Sequence, residues 1–181
     1  MSFENHIYER SYSLLEGDFP DGLIAFVDYD QEIVTFPLWN LSGQWVGYQT
    51  YRWDKEKVRQ GDPREMRYFT YLPKQALGVY GLQYLRDGYT GPICLVEGIW
   101  EAIVGVAHGL PCVAVLGNNP KQLRNWLYSL PNKIIPLCQP DDAGRKLANM
   151  APNNAIMLDG DLDDVLISKG LAMAMKIREE V

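Results

Sequence analysis

Apolar positions along the chain follow two rhythms, and the change comes near residue 90. Before it, residues 22–30 (GLIAFVDYD), 32–39 (EIVTFPLW) and 41–53 (LSGQWVGYQTYRW) are strand-sized runs rich in β-branched and aromatic residues. Asn40, Leu41, Ser42 and Gly43 supply a turn, so this part predicts a small antiparallel meander. Residues 1–20 are mixed and read as helix and loop. Residues 54–67 are polar and read as an exposed loop, and residues 72–88 as part turn, part short helix ending at Gly88.

After Gly91 and Pro92 the rhythm changes. Apolar runs at 92–98 (PICLVEG), 111–119 (PCVAVLGNN), 132–140 (NKIIPLCQP) and 154–160 (NAIMLDG) alternate with helical spacing at 99–109, 120–130, 142–150 and 163–181. Pro120 is well placed to open one helix, and Gly170 predicts an interruption in the last. Short strands alternating with helices predict an α/β unit, a parallel sheet flanked by helices. The expected organisation is therefore two lobes: a mixed α+β lobe with the meander over 1–90, and the α/β domain over 91–181.

Composition bounds the class. The chain has 181 residues, 47% of them hydrophobic and 22% charged, as in an ordinary globular protein. No apolar run approaches the roughly 20 residues that span a bilayer, so no membrane partner is expected. The N-terminus has no apolar core behind a basic flank; no signal peptide and a cytoplasmic location are the expectations. Cys94, Cys112 and Cys138 each sit in an apolar run and read as buried thiols, and without a CxxC or Cys/His cluster no zinc site is expected.

Charge is more informative in its placement than in its sum. The net charge of −6 argues against a protein that coats nucleic acid over its whole surface. Yet residues 1–51 hold a single base, Arg10, whereas the segment from Arg52 to Lys74 holds Arg52, Lys55, Lys57, Arg59, Arg64, Arg67 and Lys74. Tyr51, Trp53, Tyr68 and Tyr71 lie among these bases, either to stack on nucleotide bases or to pack against the meander.

Acids collect where the strands of the α/β part end. Glu97 ends the first strand, Asp141 and Asp142 follow the third, and Asp159, Asp161, Asp163 and Asp164 follow the fourth. Glu101 lies one helical turn beyond Glu97. In an open parallel sheet the working crevice lies beyond the carboxyl ends of the strands. Carboxylates crowded there repel one another unless divalent cations neutralise them, and hard oxygen ligands suit Mg²⁺ or Mn²⁺. Taken singly, several of these acids read as helix caps or first-turn acids.

In order, CLVEGIWEAI, AVLGNN, PLCQPDDAGRKLA and GDLDDVL resemble the Toprim domain of bacterial and phage-type DNA primases. IVTFPLWNLSGQWVGYQTYRW and MRYFTYLPK followed by LGVYGL are similar to the lobe that precedes it in those primases. The resemblance covers roughly residues 22–170. It implies a primase catalytic core that makes RNA primers on a single-stranded DNA template from ribonucleoside triphosphates, by metal-dependent nucleotidyl transfer. It makes Glu97 and Asp141 catalytic, and assigns Glu97, Asp141, Asp161 and Asp163 to Mg²⁺ or Mn²⁺, without zinc. Arg52, Arg67, Lys74, Arg145 and Lys146 would face nucleotide or template. Glu101 falls where the family usually has aspartate. The family motif Asp-x-Asp-x-Ala-Gly falls on Gln139-Pro140-Asp141-Asp142-Ala143-Gly144, so a neutral amide replaces its first carboxylate. Gln139 can still offer an oxygen but no charge, and Asp142 should point elsewhere than residue 139. A phage origin is expected, with a separate helicase or zinc-bearing primase subunit as partner. Two alternatives stay open: a catalytically weakened nucleic-acid or nucleotide-binding module, and a Toprim nuclease.

Overall fold

The computed structural model describes residues 1–11, 23–57, 61–74, 76–82, 85, 88–116 and 121–180. An opening helix, α1 (Phe3–Ser11), precedes four strands: β1 (Phe26–Asp28), β2 (Ile33–Trp39), β3 (Trp45–Arg52) and β4 (Tyr68–Tyr71). These form an antiparallel sheet in the order β1-β2-β3-β4: the expected three-stranded meander, extended by β4, a strand not expected from the sequence. Asn40 makes its turn: the side-chain carbonyl accepts from the backbone N–H of Ser42 and Gln44. Pro37 is tolerated inside β2 because on that edge β1 pairs only as far as Thr35 and Val79 pairs only at Trp39, so Pro37 lies in the unpaired gap between them.

The second half alternates as expected: β5 (Ile93–Val96), α2 (Ile99–Ala107), β6 (Cys112–Ala114), α3 (Lys121–Ser129), β7 (Ile134–Cys138), α4 (Asp142–Ala148), β8 (Ile156–Met157) and α5 (Leu162–Glu180). Its sheet runs β6-β5-β7-β8, and every pairing is parallel. The central strands β5 and β7 are buried along their whole length, which is why they read as unbroken apolar runs. Pro136 lies one residue before β8 begins to pair, so its missing donor costs the ladder little.

Two expectations shift. The strand expected over 154–160 is only two residues long, because Pro152–Asn154 forms a 3₁₀ turn before it and the chain turns away into the acidic segment after it. The last helix runs unbroken through Gly170; packing of α5 against α2 outweighs the roughly 1 kcal/mol that an interior glycine costs. Arg59, the turn at 117–119, Pro120 and most of the short helix expected before Gly88 lie outside the described residues. All three cysteines are free and buried, as expected.

One hydrophobic cluster crosses residue 90. Phe36, Leu38 and Tyr51 of the meander pack with Val96, Trp100, Ile103 and Leu166 of the α/β part, and Phe3 and Ile7 of α1 join them. The two sheets are also stitched by backbone: Val79 pairs with Trp39, and Tyr80 with Ala114. Gly81 follows in the left-handed region at φ 93°, where a Cβ would lie 2.5 Å from the Cys112 carbonyl oxygen, so the crossing depends on glycine. The consequence for function is fixed geometry: α1 and β3 are held over the carboxyl ends of β5 and β7.

Candidate metal and phosphate site

A pocket of about 350 Å³ opens at those strand ends. Parallel strands deliver their ends to one edge, and five carboxylates line it: Glu97, Glu101, Asp141, Asp161 and Asp163. Gln139, Gly98 and Ala143 share the same wall. Arg10 from α1, Gln49 from β3, Lys57 and Tyr68 also line it.

The acids are not equivalent. Glu97 follows β5, and its carbonyl accepts from the N–H of Leu116 at 3.0 Å. Leu116 adopts a left-handed φ of 55° just past β6, a conformation rare for a branched side chain and here placed at the pocket wall. Burial raises the Glu97 carboxyl above its ordinary 4.5, and the neighbouring carboxylates of Asp141 and Asp161 raise it further, with Lys146 opposing. Glu97, Asp141 and Asp161 thus crowd one another as ligands of a shared cation would.

Asp141 has two roles available. It caps α4, its Oδ1 accepting from the Gly144 N–H at 2.7 Å, and it lines the pocket. Asp142 points elsewhere, as expected from its place in the motif: it is exposed and bound by Arg145. That contact also removes Arg145 from the pocket lining, and it holds the Asp142 carboxyl below its ordinary value. Lys146 remains close enough to influence Glu97.

Glu101 is buried and saturated with donors. Its Oε2 accepts from the Gly98 N–H at 2.7 Å, and its Oε1 from Leu162 N–H at 3.3 Å and from Gln139 Nε2 at 3.2 Å. Burial nonetheless raises its carboxyl. The glutamine at 139 therefore has a partner the sequence did not reveal: its amide bridges β7 to the start of α2, where an aspartate would set two buried carboxylates side by side. Asp163 is buried too, and burial raises it against the opposing charge of Arg10, which binds it.

The glycine of the Asp-Asp-Ala-Gly turn is sterically required. A Cβ on Gly144 would collide with the Gln139 carbonyl oxygen and come within 2.7 Å of the Gln139 nitrogen, all backbone. Gly144→Ala is expected to destabilise by about 1–3 kcal/mol. Denaturant unfolding measures this, and the displacement of Gln139 and Asp141 should weaken divalent-ion binding beside it.

Other expected residues fall outside the pocket lining. Arg52 Nε donates to the Arg64 carbonyl at 3.3 Å, Arg67 Nε donates to the Lys55 carbonyl at 2.5 Å, and Lys74 is exposed. Of the four aromatics, Tyr51 is core and its hydroxyl hydrogen-bonds with His6 Nε2 at 2.7 Å, Trp53 packs partly buried and donates to Glu32, and Tyr71 is exposed. Tyr68 reaches the pocket, its hydroxyl pushed up to about 12, chiefly by burial. His108 caps the end of α2. Arg10, Gln49 and Lys57 carry no local motif; the only signal for Arg10 is its solitude among residues 1–51.

The donor set fits a hard divalent cation. Asp161, Asp163 and Asp164 place carboxylate oxygens within 4.8 Å of one another, with no histidine or cysteine among them. The folded-state carboxyls of Glu97, Glu101 and Asp163 are all raised. A raised acid contributes stability in full below its unfolded value and loses it as pH rises through its folded value. The share of stability that these three acids carry therefore falls from pH 5 to pH 7.5, against the opposite trend of His6, which burial lowers. Added Mg²⁺ should raise the melting temperature more at pH 7.5 than at pH 5, and calorimetry with and without EDTA checks this.

An α/β sheet with acids gathered at its strand ends, joined to an antiparallel lobe that closes the pocket, is the Toprim-like architecture of primases. No family model matches the chain, and no curated protein sequence matches it. Solved structures do. The catalytic core of the Escherichia coli primase superposes with a TM-score of 0.61 at 20% identity, over 82% of this chain and 51% of that one. A DnaG primase catalytic domain bound to single-stranded DNA gives a TM-score of 0.62 at 18% identity, over 97% and 64%. The zinc-binding and RNA polymerase domains of the Aquifex aeolicus primase give 0.59 at 20%, over 81% and 39%. The chain thus has the fold of DnaG primase catalytic cores and spans between about two fifths and two thirds of these structures.

Proposed function

We propose that the protein is a primase catalytic core, joining ribonucleotides on a single-stranded DNA template. The observation that carries this reading is one pocket lined by Glu97, Asp141 and Asp161 together with Lys57 and Arg10. Carboxylates and cations in one pocket suit a triphosphate held beside a divalent ion. In the reaction a 3′-hydroxyl oxygen attacks the α-phosphorus, the bond to the β-phosphate oxygen breaks, and pyrophosphate leaves. Glu97, Asp141, Asp161 and Asp163 are the acids from which Mg²⁺ or Mn²⁺ would take its ligands. Such an ion, when bound, lowers the pKa of the attacking hydroxyl and draws charge from the leaving group.

The remaining roles belong to this chain's own side chains. Lys57 meets phosphate oxygens, while Arg10 stays on Asp163. Tyr68, neutral at physiological pH, offers a hydroxyl donor without adding negative charge, and burial moves its ionisation further away still. Glu97, raised and partly buried, is placed to take the hydroxyl proton. Arg52, Arg67 and Lys74, on the meander lobe outside the pocket, are proposed to hold template phosphates, and the exposed Tyr71 to stack on a base. We retain the functional division near residue 90, template on one side and metal on the other. Host cytoplasm of a phage-infected cell and a separate helicase or zinc-bearing subunit complete the proposed setting.

A second reading, a nucleotide-binding module without chemistry, is favoured by one observation: Gln139 and Glu101 hydrogen-bond each other, which withdraws both from a cation. The test is primer synthesis on mixed-sequence single-stranded DNA with four ribonucleotides and Mg²⁺ or Mn²⁺. Short oligoribonucleotides are the expected product. Metal-dependent nucleotide binding with no product selects the module.

A further inference from the structure

A guanidinium already sits on the acidic cluster. Arg10 Nη2 lies 2.8 Å from Asp163 Oδ2, and the Asp163 side chain is 5% exposed. This is no swinging surface arginine. Its Cζ stands 5.2 Å from the Trp100 ring centroid and 5.7 Å from that of Tyr51. The helix that carries it is pinned by Phe3 and Ile7 in the core and by the bond from His6 to Tyr51. Asp163 is also one of the three acids, with Asp161 and Asp164, whose oxygens converge. A divalent ion that took Asp163 would displace a charge-assisted hydrogen bond supported by two ring faces.

The other end of the pocket has likewise lost demand for a cation. Gln139 brings no charge, and Glu101 spends its oxygens on three N–H donors. That leaves Glu97, Asp141 and Asp161 mutually repelling and without a cation that binds them directly among the described contacts. We propose that Arg10 serves as the built-in cation of the Asp163 end, so that the chain itself binds one divalent ion, through Glu97, Asp141 and Asp161, rather than two. This rests on the metal-dependent reading above and specifies its stoichiometry.

The test is a Mn²⁺ titration of the full chain at pH 7.5 without nucleotide, with free Mn²⁺ read by electron paramagnetic resonance. One ion per chain is expected in the wild type. Asp163→Asn should keep that ion, Asp161→Asn should weaken it by tenfold or more, and Arg10→Met should add a second. Two ions in the wild type, loss of the ion in Asp163→Asn, or a folded Arg10→Met that still binds one, would each overturn the proposal. Should Arg10→Met not fold by circular dichroism, the wild-type count and Asp163→Asn decide. A wild type that binds no Mn²⁺ at millimolar concentration removes the metal-dependent reading itself, a result distinct from binding two.

Discussion

Glu97→Gln is expected to lower primer synthesis by about 10²–10⁴-fold while leaving the protein folded. The side chain keeps its size and one oxygen, so packing beside Gly98 and Ile99 should not change. What disappears is a negative ligand and a proton acceptor at the carboxyl end of the central strand. The same substitution should raise the melting temperature of metal-free protein at pH 7.5, because the carboxylate it replaces is disfavoured by burial and by Asp141 and Asp161. Opposite movements of activity and stability are the signature of a functional acid held at a cost to the fold. A fall in both would mark Glu97 as structural instead.

Glu101→Ala should produce the largest loss of stability, about 3–5 kcal/mol. Three donors lose their acceptor at once: the Gly98 N–H, the Leu162 N–H and the Gln139 amide. They belong to the start of α2, the start of α5 and the segment after β7, so this one carboxylate ties three elements at the pocket floor. In a chain of this size the melting temperature should drop by about 6–20 °C. Glu101→Gln, which keeps an acceptor, should lose much less. Thermal unfolding of the two variants side by side separates this strut from a metal ligand, since a ligand would be hurt by both changes alike in ion binding and by neither in metal-free stability.

The acidic wall was legible in the sequence because parallel topology makes it so. Once β5, β7 and β8 are recognised, their carboxyl ends share an edge, and Glu97, Asp141 and Asp161 must meet there. The lining from the first lobe was not legible. Arg10 reaches Asp163 across 153 residues, and no local period records that contact. The meander was readable from its β-formers and turn, but which face of β3 would carry Gln49 into the pocket depends on register against β2 and β4. The basic segment drew attention by its density. Within it, Arg52 and Arg67 bind backbone carbonyls of their own loop, whereas Lys57, with nothing to distinguish it locally, lines the pocket. The continuity of α5 through Gly170 was decided by packing that outweighs single-residue propensity, and the shortness of β8 by the 3₁₀ turn before it and the turn into the acidic segment after it.

Gln139 shows how a motif departure gains meaning from its neighbours. Read alone, the lost aspartate weakens a cation site. In the fold, position 101 carries a glutamate long enough to reach residue 139, and an amide donor there satisfies it. The two positions at which the sequence differs from the motif it resembles therefore form one contact, and Glu97, Asp141 and Asp161 still line the pocket.

The most direct measurement is pyrophosphate release from ribonucleoside triphosphates in the presence of single-stranded DNA and Mg²⁺ or Mn²⁺, for wild type and Glu97→Gln in parallel. The account predicts release by the wild type that stops on adding EDTA and is lost in Glu97→Gln. Release that persists in Glu97→Gln, or none from a wild type that binds both nucleotide and metal, would contradict it.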